Sequence, residues 1–135
     1  LDFHDYLNFM MNPTLMQTDL YKLYTVESQL GRPGFGIATD MNSRAWHYAD
    51  HAGGILTFPV IWGGRKTHAR SVESDIKRHF ADKLWIPHEG KQAREWLDDK
   101  HLGKVQLIID FIKDTIQKQD LELKIIKTNY RPNVE

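Results

Sequence analysis

The sequence predicts one domain of the α/β (α+β) class, in which a small three-stranded, mainly antiparallel sheet is flanked by helices. Three observations lead there. Two strand-like runs, Leu20 to Ser28 and Phe35 to Thr39, flank the turn residues Gly31-Arg32-Pro33-Gly34, the pattern of a hairpin. Ile55 to Trp62 is the strongest strand signal in the chain. Apolar residues then recur at helical spacing at Ala69, Val72, Ile76 and Phe80, and again at Val105, Ile108, Ile109, Ile112 and Ile116. A sheet with an apolar face and helices with apolar stripes bury those surfaces against one another.

Taken in order, Phe3, Tyr6, Leu7 and Met10 predict a short amphipathic helix that Asn12-Pro13 ends. The hairpin follows. Asp40 or Asn42 can cap a helix running through Asp50, closed by Gly53-Gly54. Within the third strand Pro59 has no N–H to give a ladder, so an edge or a bulge is expected there. Gly63-Gly64 breaks that strand, and Thr67 can cap the next helix. A loop over Pro87 to Gly90 precedes a short helical piece at Ala93 to Leu97 and a long helix at Val105 to Gln119. Leu121 to Lys127 alternates and reads as a final strand or arm. The expected organisation is a helical extension at 1–19, the main domain at 20–118 and a C-terminal strand or arm at 119–135.

The chain has 135 residues, 41% hydrophobic and 27% charged, which suits a globular domain with one central core. With no cysteine there is no disulfide framework, no thiolate nucleophile and no cysteine zinc site. No run of eighteen or so apolar residues is present to span a membrane. Leu1 to Met11 lacks the basic-then-apolar order of a secretory signal, so a cytoplasmic location is expected. Leu1 in place of a methionine suggests a processed chain or an excised piece. The 18 basic and 18 acidic side chains cancel, a mild argument against a nucleic-acid partner. Distribution matters more than the total, and Arg65, Lys66, His68, Arg70, Lys77 and Arg78 crowd into one stretch.

One constellation could carry chemistry. Tyr24 lies in Lys22-Leu23-Tyr24-Thr25-Val26, and Gly36 follows in Gly34-Phe35-Gly36-Ile37. Arg44 comes next, with His47 and Tyr48 one helical turn beyond it. Glu73 then opens the helix after the third strand in Ser71-Val72-Glu73-Ser74-Asp75-Ile76, and His79-Phe80 and Glu95-Trp96-Leu97 come later. In order and spacing this resembles the GIY-YIG nuclease superfamily, and more narrowly its divergent phage-type branch, over residues 20 to 115. The first motif keeps only its tyrosine, the second motif lacks its tyrosine, and the late asparagine has only Asn129 as a remote counterpart.

The resemblance implies an endonuclease that hydrolyses phosphodiester bonds at a one-metal site, acting on DNA, or alternatively on RNA, within an infected host cell. It implies Mg²⁺ or Mn²⁺ held by Glu73, a hard oxygen ligand. Arg44 would neutralise charge on the phosphate, Tyr24 would orient or deprotonate the attacking water, and Tyr48 or His47 would share that work. Gly36, Arg65, Lys66, His68, Arg70 and Lys77 would meet the substrate, and a separate DNA-reading domain or subunit would supply specificity. The alternative implied by the missing tyrosine is an inactive module of the same fold that binds nucleic acid or a host protein.

Each residue also has an ordinary reading. Tyr24 suits a strand that packs its ring, Arg44 a solvated helix face, and Glu73 an ion pair with Lys77 four residues on, worth about 0.3–0.5 kcal/mol. His47 and His51 stand at metal-gripping spacing but have no third ligand nearby, so surface histidines are the simpler reading. Trp46, Trp62, Trp85 and Trp96 could stack on bases, yet large aromatics more often close a small core. Gly31 to Gly36 reads as a turn rather than a phosphate cradle.

Overall fold

The computed structural model of the chain describes residues 20–41, 56–86 and 93–131. The N-terminal helix expected at 2–11 and the helix expected from Asp40 or Asn42 to Asp50 fall outside that range, apart from Asp40 and Met41. Within it, strands β1 (Tyr21–Glu27), β2 (Pro33–Ala38) and β3 (Phe58–Gly64) lead to helix α1 (Lys66–His79). Short strands β4 (Leu84–Trp85) and β5 (Ala93–Leu97), helix α2 (Val105–Gln119) and strand β6 (Leu123–Tyr130) follow.

These strands form one sheet in the order β4-β5-β2-β1-β3-β6, and every pairing is antiparallel. The α+β class agrees with the sequence expectation, whereas the three-stranded sheet does not, because the described residues alone form six strands. The three expected strands are its centre. Ala93–Leu97, expected to be helical, is the strand β5: alanine, arginine, glutamate and leucine favour helices, but here Trp96 pairs with Gly34 and Leu97 with Leu84.

Strand alternation sorts the apolar residues onto two faces. On one face, Leu23, Phe35, Val60 and Trp62 pack with Ala69, Val72 and Ile76 of α1 and Ile108, Ile109 and Ile112 of α2. On the other, Tyr24, Val26, Ala38, Leu56, Phe58 and Ile61 form a second cluster, joined by Met41, Trp96 and Tyr130. Burying each large apolar side chain contributes about 1.5–3 kcal/mol, so both faces stabilise the domain. The helical stripe read from the sequence is thus the face that meets the sheet.

Pro59 sits at a bulge. Tyr24 faces Ile61, and Glu27 faces Thr57, so Thr25 and Val26 of β1 stand opposite Phe58, Pro59 and Val60. The gap is closed by the buried hydroxyl of Thr25, which accepts from the Val60 N–H and donates to the Val60 carbonyl, both at 3.2 Å. Past β3, a Cβ at Gly64 would stand 1.9 Å from the Glu122 carbonyl oxygen, so only glycine allows the backbone before β6 to pass. The cap of helix α1 falls two residues before the expected Thr67. Arg65 is the N-cap and makes no side-chain cap hydrogen bond, because a guanidinium has donors but no acceptor; it pairs instead with Glu122 at 2.8 Å.

Candidate nucleic-acid interface and hydrolytic site

The catalytic residues named from the sequence divide into three groups by position. Arg44, His47 and Tyr48 lie outside the described residues. Tyr24 is wholly buried at the centre of β1, its ring meeting Phe58 edge to face with centroids 5.4 Å apart. Gly36 is its cross-strand neighbour on β2. A Cβ at Gly36 would lie 2.3 Å from the Tyr24 hydroxyl oxygen, so the absence of a side chain on β2 makes room for the phenol.

Glu73 lies on α1, half-buried, with its carboxylate 3.7 Å from the Lys77 ammonium. The i,i+4 pair read from the sequence is present. Tyr24 and Glu73 are not brought together. Leu23 points to the helices, so Tyr24 points to the other face of the sheet, and α1 packs on the Leu23 face. The backbone layer of the sheet separates the phenol from the helix that carries Glu73. Among the described residues, no three histidine, aspartate or glutamate side chains gather as a metal-binding group.

The basic stretch has a definite location. Arg65 and Lys66 begin α1 where β3 ends, beside the first residues of β1 and β6: Tyr21 and Leu123 both face Gly64. Lys66 holds its ammonium 5.2 Å from the Tyr21 ring centroid, and Arg70 is exposed one turn along. His68 does a different job. Its Nδ1 accepts the Glu122 N–H at 2.9 Å, so it fastens the start of β6 to α1 and leaves only Nε2 to face a ligand. Lys77 belongs to the Glu73 pair, and Arg78 pairs with Asp75. The six basic residues therefore separate into Lys66 and Arg70, which have no acidic partner among the described residues, and four that are engaged.

Lys22 adds a cation the sequence reading did not assign. It faces Gly63 two residues before Tyr24, and its ammonium donates to the Thr39 carbonyl at 2.8 Å. Burial lowers its pKa below the ordinary lysine value, and the Asp40 carboxylate partly opposes that shift. At the far end of the sheet, Arg32 of the β1–β2 turn is a second such cation. Its guanidinium lies 4.1 Å from the Trp85 ring centroid and donates to the Leu97 carbonyl at 2.8 Å and to Asp99 at 2.6 Å. No local signal marks it, because two of these partners are 65 and 67 residues away. Trp62 and Trp96 pack in the two cores and Trp85 lies against Arg32, so three of the four tryptophans serve structure; Trp46 is outside the described residues.

No helix among the described residues is long and apolar enough to cross a membrane. No family model matches the sequence, and no curated protein or solved structure is found to be similar to it.

Proposed function

We propose that the chain is a metal-dependent endonuclease of GIY-YIG type, hydrolysing phosphodiester bonds of DNA. The supporting observation is the antiparallel core β2-β1-β3 followed directly by the Glu73-bearing helix, with Tyr24 beside Gly36 in register. Lys66 and Arg70, which have no acidic partner among the described residues, present cations in the first turns of the same helix, where a phosphate backbone can lie. A carboxylate such as Glu73 is a hard oxygen donor that suits Mg²⁺ or Mn²⁺, and such an ion when bound supplies Lewis-acid stabilisation of the leaving oxygen.

The chain's own residues do the remaining work. Arg44 offers a planar, permanently charged fork to the phosphate oxygens as negative charge develops on them. Lys77 offsets the charge of the Glu73 carboxylate from 3.7 Å, a place a bound cation would take over. His47 or Tyr48 takes the proton from the attacking water.

A second reading is favoured by one observation: the sheet separates Tyr24 from α1. In an inactive module that binds nucleic acid, Tyr24 is simply the buried ring that Gly36 accommodates. Nicking of supercoiled plasmid in Mg²⁺ or Mn²⁺ distinguishes the two. The enzyme loses metal-dependent nicking in both Glu73→Ala and Arg44→Ala while still binding DNA. Binding without cleavage by the folded wild-type chain, on double- and single-stranded substrates alike, selects the module.

A further inference from the structure

Strand β6 closes one side of the sheet and pairs, among the described residues, only with β3. Among the described residues no strand pairs with its outer side, so alternate backbone N–H and C=O groups there can accept another strand. The strand is well exposed beyond Leu123, and Ile125 and Ile126 each keep 48% of their surface open. Register gives its two faces different chemistry. Lys124 faces Gly63, which faces Lys22, so Lys124 lies on the Tyr24 side of the sheet. Ile61 faces Lys127 and Trp62 faces Ile125, which makes Ile126 the extra residue of a bulge. That bulge resets the alternation and brings Lys127 to the same side as Lys124. Ile125, opposite Trp62, remains on the helix side.

We infer that the β6 edge is a docking site for an extended acidic peptide segment of a partner protein, added as a further antiparallel strand. Side chains on one face of the added strand meet Lys124 and Lys127, which calls for glutamate or aspartate. Those on the other face meet Ile125, which calls for an apolar residue. Backbone hydrogen bonds supply affinity, and the alternating pockets supply selectivity. From Leu123 to Arg131 the edge carries Lys124, Lys127 and Arg131 and no acid, so a second copy of this chain is repelled where an acidic strand is attracted. Exposed isoleucines and open backbone groups favour a strand over a polyanion, which needs neither. This inference stands independently of the nuclease reading.

The test is an amide NMR titration of the full chain with a blocked octapeptide alternating glutamate and valine, run beside a lysine–valine octapeptide and a short DNA duplex. The glutamate peptide is expected to move the amides of Lys124 to Thr128 and leave α1 and α2 still. The double variant Lys124→Glu/Lys127→Glu is expected to bind it about tenfold more weakly and to take the lysine–valine peptide instead. The exchange of preference separates loss of a charge match from loss of fold. Unmoved β6 amides with the glutamate peptide overturn the proposal. So does a β6 response to duplex alone, equal binding of both peptides, or concentration-dependent self-association through β6.

Discussion

Gly36 and Tyr24 act as one packing unit. The phenol occupies the space a β-carbon on β2 would take, and Phe58 holds its ring from the side. Gly36→Ala should therefore cost about 1–3 kcal/mol by overpacking. In a double-mutant cycle by urea unfolding, Tyr24→Phe should return part of that cost by removing the atom nearest the new methyl group. Additive effects would show that the ring moves freely. Thr25 makes a second residue-scale case. Thr25→Val keeps the shape but strips the partners from both Val60 backbone groups, so a loss of about 1–3 kcal/mol is expected, with Thr25→Ser much closer to wild type. An unchanged denaturation midpoint in Thr25→Val would mean that the bulge satisfies itself in another way. Pro59 was a readable sign of this arrangement, since a proline in a strand announces a missing donor. That the threonine opposite would fill the gap required the register, which the sequence does not display.

Among the described residues, elements with strong periodicity are legible: β1, β2, β3, α1, α2 and β6 lie within a few residues of where alternation or a helical stripe predicts them. β5 is not, because its strand state comes from pairing with β2 and β4 rather than from its own residues. The site was legible only in part. Glu73 and Lys77 pair as helical spacing requires, and Tyr24 packs as a strand tyrosine does, but which sheet face each side chain meets depends on where the helices dock. The connection from β5 to α2 is fastened by local contacts instead and has a pH signature. Asp98 caps the short 3₁₀ turn Asp99–His101, accepting the Lys100 N–H at 3.1 Å and a hydrogen bond from the His101 ring. The His101 hydrogen bond chiefly, helped by its charge and by Lys100, holds Asp98 below the usual aspartate range against the opposing effect of burial. A carboxyl whose folded pKa is depressed contributes its full stability above the unfolded value of about 3.9 and loses it as pH falls through the folded value. Wild type should thus lose stability more steeply than His101→Ala over that acid window, and the Asp98 carboxyl resonance should titrate higher in the variant. Superimposable titrations in the two proteins would remove the assigned cause.

At the scale of the whole molecule, a formal charge of zero conceals a sorted surface. Acids on α1 and before β6 are spent on neighbours: Glu73 on Lys77, Asp75 on Arg78, Glu122 on Arg65. That leaves Lys66 and Arg70 unpaired among the described residues, near the end of the sheet where Lys22 and Lys124 also lie in one row across Gly63. Net charge therefore understates how strongly this end attracts a polyanion, because a surface field follows local sums. Salt dependence counts the contacts. If Lys66 and Arg70 each neutralise one phosphate of a DNA duplex, each displaces condensed counterions, and the slope of log affinity against log salt should flatten by about 0.9 for each one removed. Anisotropy of a labelled duplex, measured at several salt concentrations, should give a slope shallower by about 1.8 in Lys66→Ala/Arg70→Ala than in wild type. Lys77→Ala should behave differently, since its charge already serves Glu73 and its removal leaves an unopposed carboxylate near the same helix. A slope unchanged by the double substitution would move the phosphate contacts away from α1, and the proposed substrate path with them. A shallower slope with unchanged nicking at low salt would instead keep the path and separate binding from cutting.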